Sequence, residues 1–253
     1  MVKVILHGSN GHMGRIIDSL IAEDPEIEIV AGVDRVSGAV NPYPVFSSIE
    51  NCEVQADVII DFANASAEDA LLDYCVTKRI PLVLCTTGLS EAQLDHVREA
   101  EKHVAVLKSA NMSLGINTLI DLLHRASDVF CKAGFDVEIV EKHHRRKLDA
   151  PSGTAIALAD AVNESQGSVY HYVYDRSQRR QARDDKESGI SAVRGGSIVG
   201  EHEIIFAGMD EVITFRHTAY SRAVFGKGAI EAAKFLAGKG AGHYDMADVI
   251  AAD

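Results

Sequence analysis

A short apolar run, Val2-Lys-Val-Ile-Leu6, leads directly into Gly8-Ser-Asn-Gly11-His-Met-Gly14, and Ile16, Ile17, Leu20 and Ile21 follow at helical spacing. Few folds accept that order. The run reads as a buried parallel strand, the glycines as a tight turn, and the next segment as a helix that Pro25 closes. Gly8 allows the turn, Gly11 lets the backbone approach a pyrophosphate, and Gly14 lets the helix pack closely on the strand. Ile27-Glu-Ile-Val-Ala-Gly-Val33 then forms a second strand and ends in Asp34. That places a carboxylate about 20 residues beyond the loop, where a dinucleotide-binding unit needs a ribose partner. The glycine spacing is GxxGxxG rather than the commoner GxGxxG, so the order of elements carries the reading. The alternative is a structural βαβ unit whose glycines serve packing only.

The alternation continues, with strand-like Asp57–Phe62, a helix over Ala65–Lys78, a strand over Ile80–Cys85, a polar helix over Glu91–Lys102 and a strand over His103–Leu107. Such a pattern predicts an α/β fold, a Rossmann-type doubly wound parallel sheet that binds its ligand at the carboxyl ends of the strands. Three segments then face one crevice: Gly8–Gly14, Cys85-Thr-Thr-Gly88 and Ser109-Ala-Asn-Met112. Asp34 should bond the 2′-hydroxyl of NADH and repel the 2′-phosphate of NADPH, while Arg35, with His12 nearby, attracts that phosphate. Both cofactors are expected to work, NADH at least as well.

Beyond Asn111 the pattern changes. Leu114, Ile116, Leu119, Ile120, Leu122 and Leu123 predict a long helix starting near Ser113. Residues 162–187 turn polar and loop-rich, and Arg176, Arg179, Arg180 and Arg183 there read as a solvated loop or an intersubunit contact. Ile190–Phe206 and Glu211–Tyr220 read as antiparallel strands, with turns at Gly195-Gly196 and Gly208-Met-Asp. A second α+β domain on an open mixed sheet follows, with a face or edge that another subunit can cover. Ala223–Leu236 is a final helix that returns to the first domain.

Between these parts lies Glu138-Ile-Val-Glu-Lys-His-His-Arg-Arg-Lys-Leu-Asp-Ala-Pro-Ser-Gly-Thr-Ala155. It starts as a strand, delivers five residues able to carry positive charge (His143, His144, Arg145, Arg146, Lys147), turns at Asp149–Ser152 and opens a helix at Gly153-Thr154. A helix start exposes unpaired N–H groups with partial positive charge, so the stretch suits a small molecule bearing carboxylates or phosphates. The plainer alternative is a solvated basic turn. No metal site is expected, because adjacent residues on a strand point apart and no further ligand follows at zinc-like spacing.

Composition narrows the ligand. A formal net charge of −12 argues against nucleic-acid binding and sets off the basic cluster, which can select a small anion without attracting polyanions. Cys52, Cys75, Cys85 and Cys131 are scattered without a CxxC pair and read as free, largely buried thiols of a reducing compartment. The N-terminal run is too short for a signal peptide, and no apolar run reaches membrane-spanning length, so a cytoplasmic protein without membrane contact is expected.

Taken together, Glu141-Lys-His-His-Arg-Arg-Lys-Leu-Asp-Ala-Pro-Ser-Gly-Thr-Ala155, Gly8–Gly14, Cys85–Gly88, Ser109–Ser113 and Ile198-Val-Gly-Glu-His202 resemble the dihydrodipicolinate reductase family of bacterial lysine and diaminopimelate biosynthesis, across essentially the whole chain. The resemblance implies a split dinucleotide-binding domain (1–111 and 222–253) and a central substrate-binding domain (112–221) that forms a homotetramer. By the same resemblance, His143 matches the catalytic acid/base and Lys147 the proton donor, and His144 matches a substrate contact. Gly153 and Thr154 match donors to a substrate carboxylate. Gly8, Ser9, Asn10, Gly11, His12, Met13, Asp34, Cys85, Thr86, Thr87, Ser109, Ala110, Asn111 and Met112 match cofactor contacts, and Arg35 the place where a 2′-phosphate is met. The chain departs from the family at Cys85, more often Gly, which is expected to crowd the loop near the nicotinamide. It departs again at His12, often Arg or Lys, which weakens NADPH use. The implied reaction adds hydride to a cyclic unsaturated imine dicarboxylate. The rivals are another nicotinamide-dependent dehydrogenase and a non-catalytic NAD(H) sensor.

Overall fold

The computed structural model describes residues 1–35 and 40–252, which separate into two compact units, Met1–Leu114 with Arg222–Asp253, and Gly115–Ser221. Unit 1 begins with β1 (Val2–His7), α1 (His12–Ile21), β2 (Ile27–Val33), β3 (Val45–Phe46), β4 (Val58–Asp61), α2 (Glu68–Lys78), β5 (Leu82–Leu84), α3 (Glu91–Ala100) and β6 (Ala105–Lys108). Unit 2 contains most of α4 (Leu114–Phe130), then β7 (Asp136–His143), α5 (Gly153–Ser165), β8 (His171–Val173), β9 (Glu187–Arg194), β10 (Gly200–Ala207) and β11 (Val212–Ala219). The chain returns to unit 1 with α6 (Ala223–Leu236), β12 (Gly242–Tyr244) and α7 (Met246–Ala251).

Among the described residues, unit 1 is built on seven parallel strands in the order β12-β6-β5-β4-β1-β2-β3. Both faces are covered, which is why Val4, Ile5, Leu6, Val58, Ile59 and Ile60 are all fully buried. One face packs Ile17, Ile21, Ala229, Ala233 and Leu236 from α1 and α6; the other packs Leu71, Leu72, Cys75 and Val97 from α2 and α3. Ser90 starts α3 through a reciprocal cap with Gln93, and Asp245 starts α7 through one with Asp248. Cys52 and Cys75 are buried free thiols, and Cys85 and Cys131 are half-buried ones. No described helix is long and apolar enough to cross a membrane.

Unit 2 carries the order β11-β10-β7-β9-β8. Its buried face joins Val137, Ile139, Ile190, Ile204 and Phe206 to Leu119, Leu123, Leu158 and Val162 of the two helices. The alternate residues of β7 bear polar partners instead: Lys142 pairs with Glu201 and Glu203, and Glu138 with Arg176 and Arg183. Two expectations are corrected here. β9 and β10 do not form a hairpin; β9 runs parallel to β7 on one side and β10 antiparallel on the other. The Gly195-Gly196 turn crosses the end of β7, with Gly195 N–H donating to His143 O (2.9 Å). The arginine-rich segment is not merely solvated. Arg176 and Arg179 both grip Glu187, which is fully buried, and Arg183 reaches Asp136 at 2.6 Å. The Arg179 guanidinium, seconded by Arg176, holds the Glu187 carboxyl down at about 2.

Candidate functional site

The turn after β1 shows why glycine is required. Gly8 has φ +83°, and a Cβ there would stand 2.7 Å from the Phe62 carbonyl oxygen. A Cβ on Gly14 would overlap the Gly8 and Ser9 carbonyls, so Gly14 lets α1 close on the loop itself rather than on the strand. The loop thus presents its backbone at the start of α1, the end of a helix that favours anions.

Gly8, Gly11, Asp34 and Arg35 line one cavity of about 390 Å³, together with His7, Ser48, Glu50, Phe62 and Asn64. Asp34 follows β2 directly, and its carboxylate accepts from Asn10 N–H (2.8 Å). That bond fixes the acid beside the glycine loop. Asn10 also takes Asn41 Nδ2 on its side-chain oxygen (3.0 Å). Ser9 is buried, its N–H is spent on Val33 O, and its side chain lies against Gly32, so it faces β2. His12 is exposed and Met13 half-buried in the first turn of α1. These fits favour a dinucleotide: a tight turn that glycine makes possible, a helix start and an oriented carboxylate in one unit.

The other two segments follow β5 and β6, which neighbour each other in the same parallel sheet and end on the same side as β1. Cys85 N–H donates to Asp61 O at 3.0 Å. Its sulfur points back toward Val83 O (3.9 Å), and burial, then Asp61 and Glu68, pushes the thiol well up. It packs against the core of unit 1. Thr86 is buried and Thr87 exposed. Ser109 Oγ accepts from the N–H of Met246, the first residue of α7 (2.8 Å), and Met112 packs into the core. Asn111 accepts from Ser113 N–H (2.8 Å), and Ala110 is exposed. Beneath the cavity, sequence reading missed a polar cluster of His7, Asp61 and Glu68, all buried. Burial, then the Asp61 charge, raises the Glu68 carboxyl well above the usual carboxylate range.

In unit 2, β7 places Val137, Ile139, Glu141 and His143 on its buried face. Glu141 is fully buried and saturated: it takes His143 Nδ1 (2.6 Å), two Arg194 nitrogens (both 2.7 Å) and Ser152 N–H (3.0 Å). Burial raises the Glu141 carboxyl, but Arg194, His143 and Ser152 outweigh it and leave the group below its ordinary value. Burial likewise lowers His143, while Glu141 opposes that. Ser152 caps α5 by accepting from Ala155 N–H (3.1 Å), and its hydroxyl meets His202 Nε2 at 3.1 Å. Gly153 and Thr154 are therefore the first residues of a capped helix, as the sequence predicts. Lys147 curls back in the turn, its Nζ 2.9 Å from Asp149 Oδ1. His144 is half-buried, its Nδ1 without a hydrogen-bond partner among the described residues, and Arg145 and Arg146 are exposed. His143, Lys147 and the α5 start are thus gathered by one strand and one turn. Glu141 and His202 stood in the stretches that carry the resemblance but were given no role there, and Arg194 was not singled out; a further signal was that position 141 shares a strand face with 143. Among the described residues no group of three or more His, Cys, Asp or Glu is placed to hold a metal.

The family model for the N-terminus of dihydrodipicolinate reductase matches residues 2–112, and that for its C-terminus matches residues 115–250. A 4-hydroxy-tetrahydrodipicolinate reductase of Caldanaerobacter subterraneus subsp. tengcongensis is 50% identical over 250 residues, covering 99% of this chain and 98% of that one. Its counterpart in Clostridium tetani is 47% identical over 246 residues, covering 97% and 96%. The solved structure of dipicolinate-bound dihydrodipicolinate reductase from Paenisporosarcina sp. TG-14 shares the fold, with a TM-score of 0.80 at 24% identity over 97% of each chain. Matched in both halves and along nearly its full length, the chain belongs to the dihydrodipicolinate reductase family.

Proposed function

We infer that this chain is an NAD(P)H-dependent 4-hydroxy-tetrahydrodipicolinate reductase of lysine and diaminopimelate biosynthesis. The observation that carries the reading is the grouping of His143, Lys147 and the capped start of α5 at the end of one strand. When bound, the nicotinamide supplies a hydride to C4 of the cyclic unsaturated imine. The electron pair moves into the C=C–C=N system, and one proton must reach the resulting enamine or its nitrogen. His143 and Lys147 are the proton sources, and the same groups assist loss of the 4-hydroxyl as water. His144, Gly153 and Thr154 hold the carboxylates, cations and helix N–H groups being matched to a dianion. Unit 1 holds the cofactor through residues 8–13, Asp34, Arg35, 85–87 and 109–112.

Asp34 supports use of NADH at least as good as NADPH, with Arg35 admitting the 2′-phosphate. The domains are taken as 1–111 with 222–253 for the cofactor and 112–221 for substrate and assembly, the assembly being a homotetramer in the cytoplasm. The test is oxidation of NADH and of NADPH, coupled to a synthase that generates the substrate. Turnover with both, and kcat/KM for NADH at least equal, is expected. A strong NADPH preference removes the Asp34 reading. Absent turnover with intact NADH binding favours a sensor.

A further inference from the structure

We infer that Glu141, clamped by Arg194, is the positioning residue that holds the His143 imidazole in its Nδ1–H tautomer, so that the proton is exchanged at Nε2. The inference deepens the reading of His143 as an acid/base group and rests on it for its catalytic consequence.

The geometry is built from three elements. β7 puts Glu141 and His143 two residues apart on one face, the shortest spacing at which strand neighbours share a side. β9 supplies Arg194, the register partner of His143, whose guanidinium meets both Glu141 oxygens at 2.7 Å. The turn before α5 supplies Ser152 N–H, 3.0 Å from Oε1. Every contact to Glu141 is thus a donor. A fully buried carboxylate facing a guanidinium can only accept, so the nitrogen 2.6 Å from Oε2, His143 Nδ1, must carry hydrogen. The lone pair of the neutral ring is left on Nε2.

That second nitrogen is kept open. Its neighbour is Gly200, where a Cβ would stand 3.1 Å from Nε2. The adjacent ring, His202 of β10, meets His143 edge-on at 5.2 Å and does not compete for its proton. The Ser152 hydroxyl, which accepts from Ala155 N–H, meets His202 Nε2 at 3.1 Å. Burial, then the His143 charge, pushes His202 down to about 4. Among the described residues the charged groups facing His143 are Glu141, Lys147 and Arg194, and only Glu141 touches a ring nitrogen.

A buried pair of this kind also holds structure, since Arg194 donates to the Asp149 carbonyl at 2.7 Å and so ties down the turn. The test therefore reads the tautomer directly. Nitrogen-15 NMR of histidine-labelled protein, with the His143 signal identified by its loss in His143→Asn, should show a single Nδ1–H form in the wild type. In Glu141→Gln that form should give way to a mixture or to Nε2–H. kcat should fall about 10²–10³-fold, the alkaline limb of its pH profile should move to lower pH because the protonated ring is lost sooner, and the NADH Kd should stay within about twofold. Glu141→Asp, which keeps the charge, should recover part of the loss. An Nε2–H tautomer in the wild type, or an unchanged Nδ1–H signal in Glu141→Gln, overturns the proposal. The spectrum needs no substrate, so it decides the positioning role even where the wild type shows no turnover, and the wild-type spectrum decides it even where the variant does not fold.

Discussion

His7 Nδ1 lies 2.7 Å from Asp61 Oδ1, joining two residues paired in register at the carboxyl ends of β1 and β4 beneath the glycine loop. Among the described residues no hydrogen bond reaches Asp61 Oδ2 or either oxygen of Glu68, in the first turn of α2. A helix N-terminus favours a carboxylate by about 0.3–1 kcal/mol, whereas burying an unpaired charge costs several times more. Burial therefore wins at Glu68, and its carboxyl is held protonated above the usual range. A carboxyl raised in the fold contributes stability below its unfolded value and loses it as pH rises toward the folded one. Glu68→Gln does not titrate, and its amide can donate to Asp61 Oδ2. Its Tm should exceed that of the wild type at pH 8 by roughly 3–8 °C, and the gap should shrink at pH 5. A gap independent of pH, or a lower Tm at pH 8, would contradict this account. Differential scanning calorimetry makes the comparison.

Lys147 pairs with Asp149 at 2.9 Å, but Asp149 is 59% exposed in its side chain, so the pair adds only about 0–1 kcal/mol to the fold. The Lys147 Nζ can therefore be removed without unfolding the protein. Lys147→Ala is expected to lower kcat by about 10²–10⁴-fold while Tm and NADH Kd stay nearly constant. Wild-type turnover in steady-state assays of that variant would take Lys147 out of the reaction.

Thr154 stands one residue inside the Ser152-capped start of α5. Thr154→Val keeps the shape and removes a hydroxyl, a change worth about 1–2 kcal/mol when that group bonds a ligand. The substrate KM should rise about 5–30-fold with kcat little altered. An unchanged KM would refute the carboxylate cradle at this helix start.

Much of unit 1 was legible because a parallel strand buried on both faces is an uninterrupted apolar run, as in Val4-Ile-Leu6 and Val58-Ile-Ile60. The α6 bounds, Ala223–Leu236, also match the sequence reading. β12 and α7 escaped it, since three and six residues give no period to detect. In unit 2 the alternation in β9 and β10 marks strands but not their partners, so a hairpin was expected where β7 lies between them. Glu141 and Glu187 escaped for a related reason. A carboxylate predicts solvent unless its partners are known, and Arg194, Arg176 and Arg179 reach theirs across tens of residues or from a loop. The cations that looked like surface were the ones that made burial of those acids possible.

The most direct measurement follows the hydride itself. With NADH carrying deuterium at the transferred position of C4, the product of the coupled reaction, examined by mass spectrometry and NMR, should carry one deuterium at its own C4. Lys147→Ala should form the same labelled product, only more slowly. A product without deuterium, or NADH that binds and is never oxidised in the presence of substrate, would contradict hydride transfer from the dinucleotide to the cyclic imine.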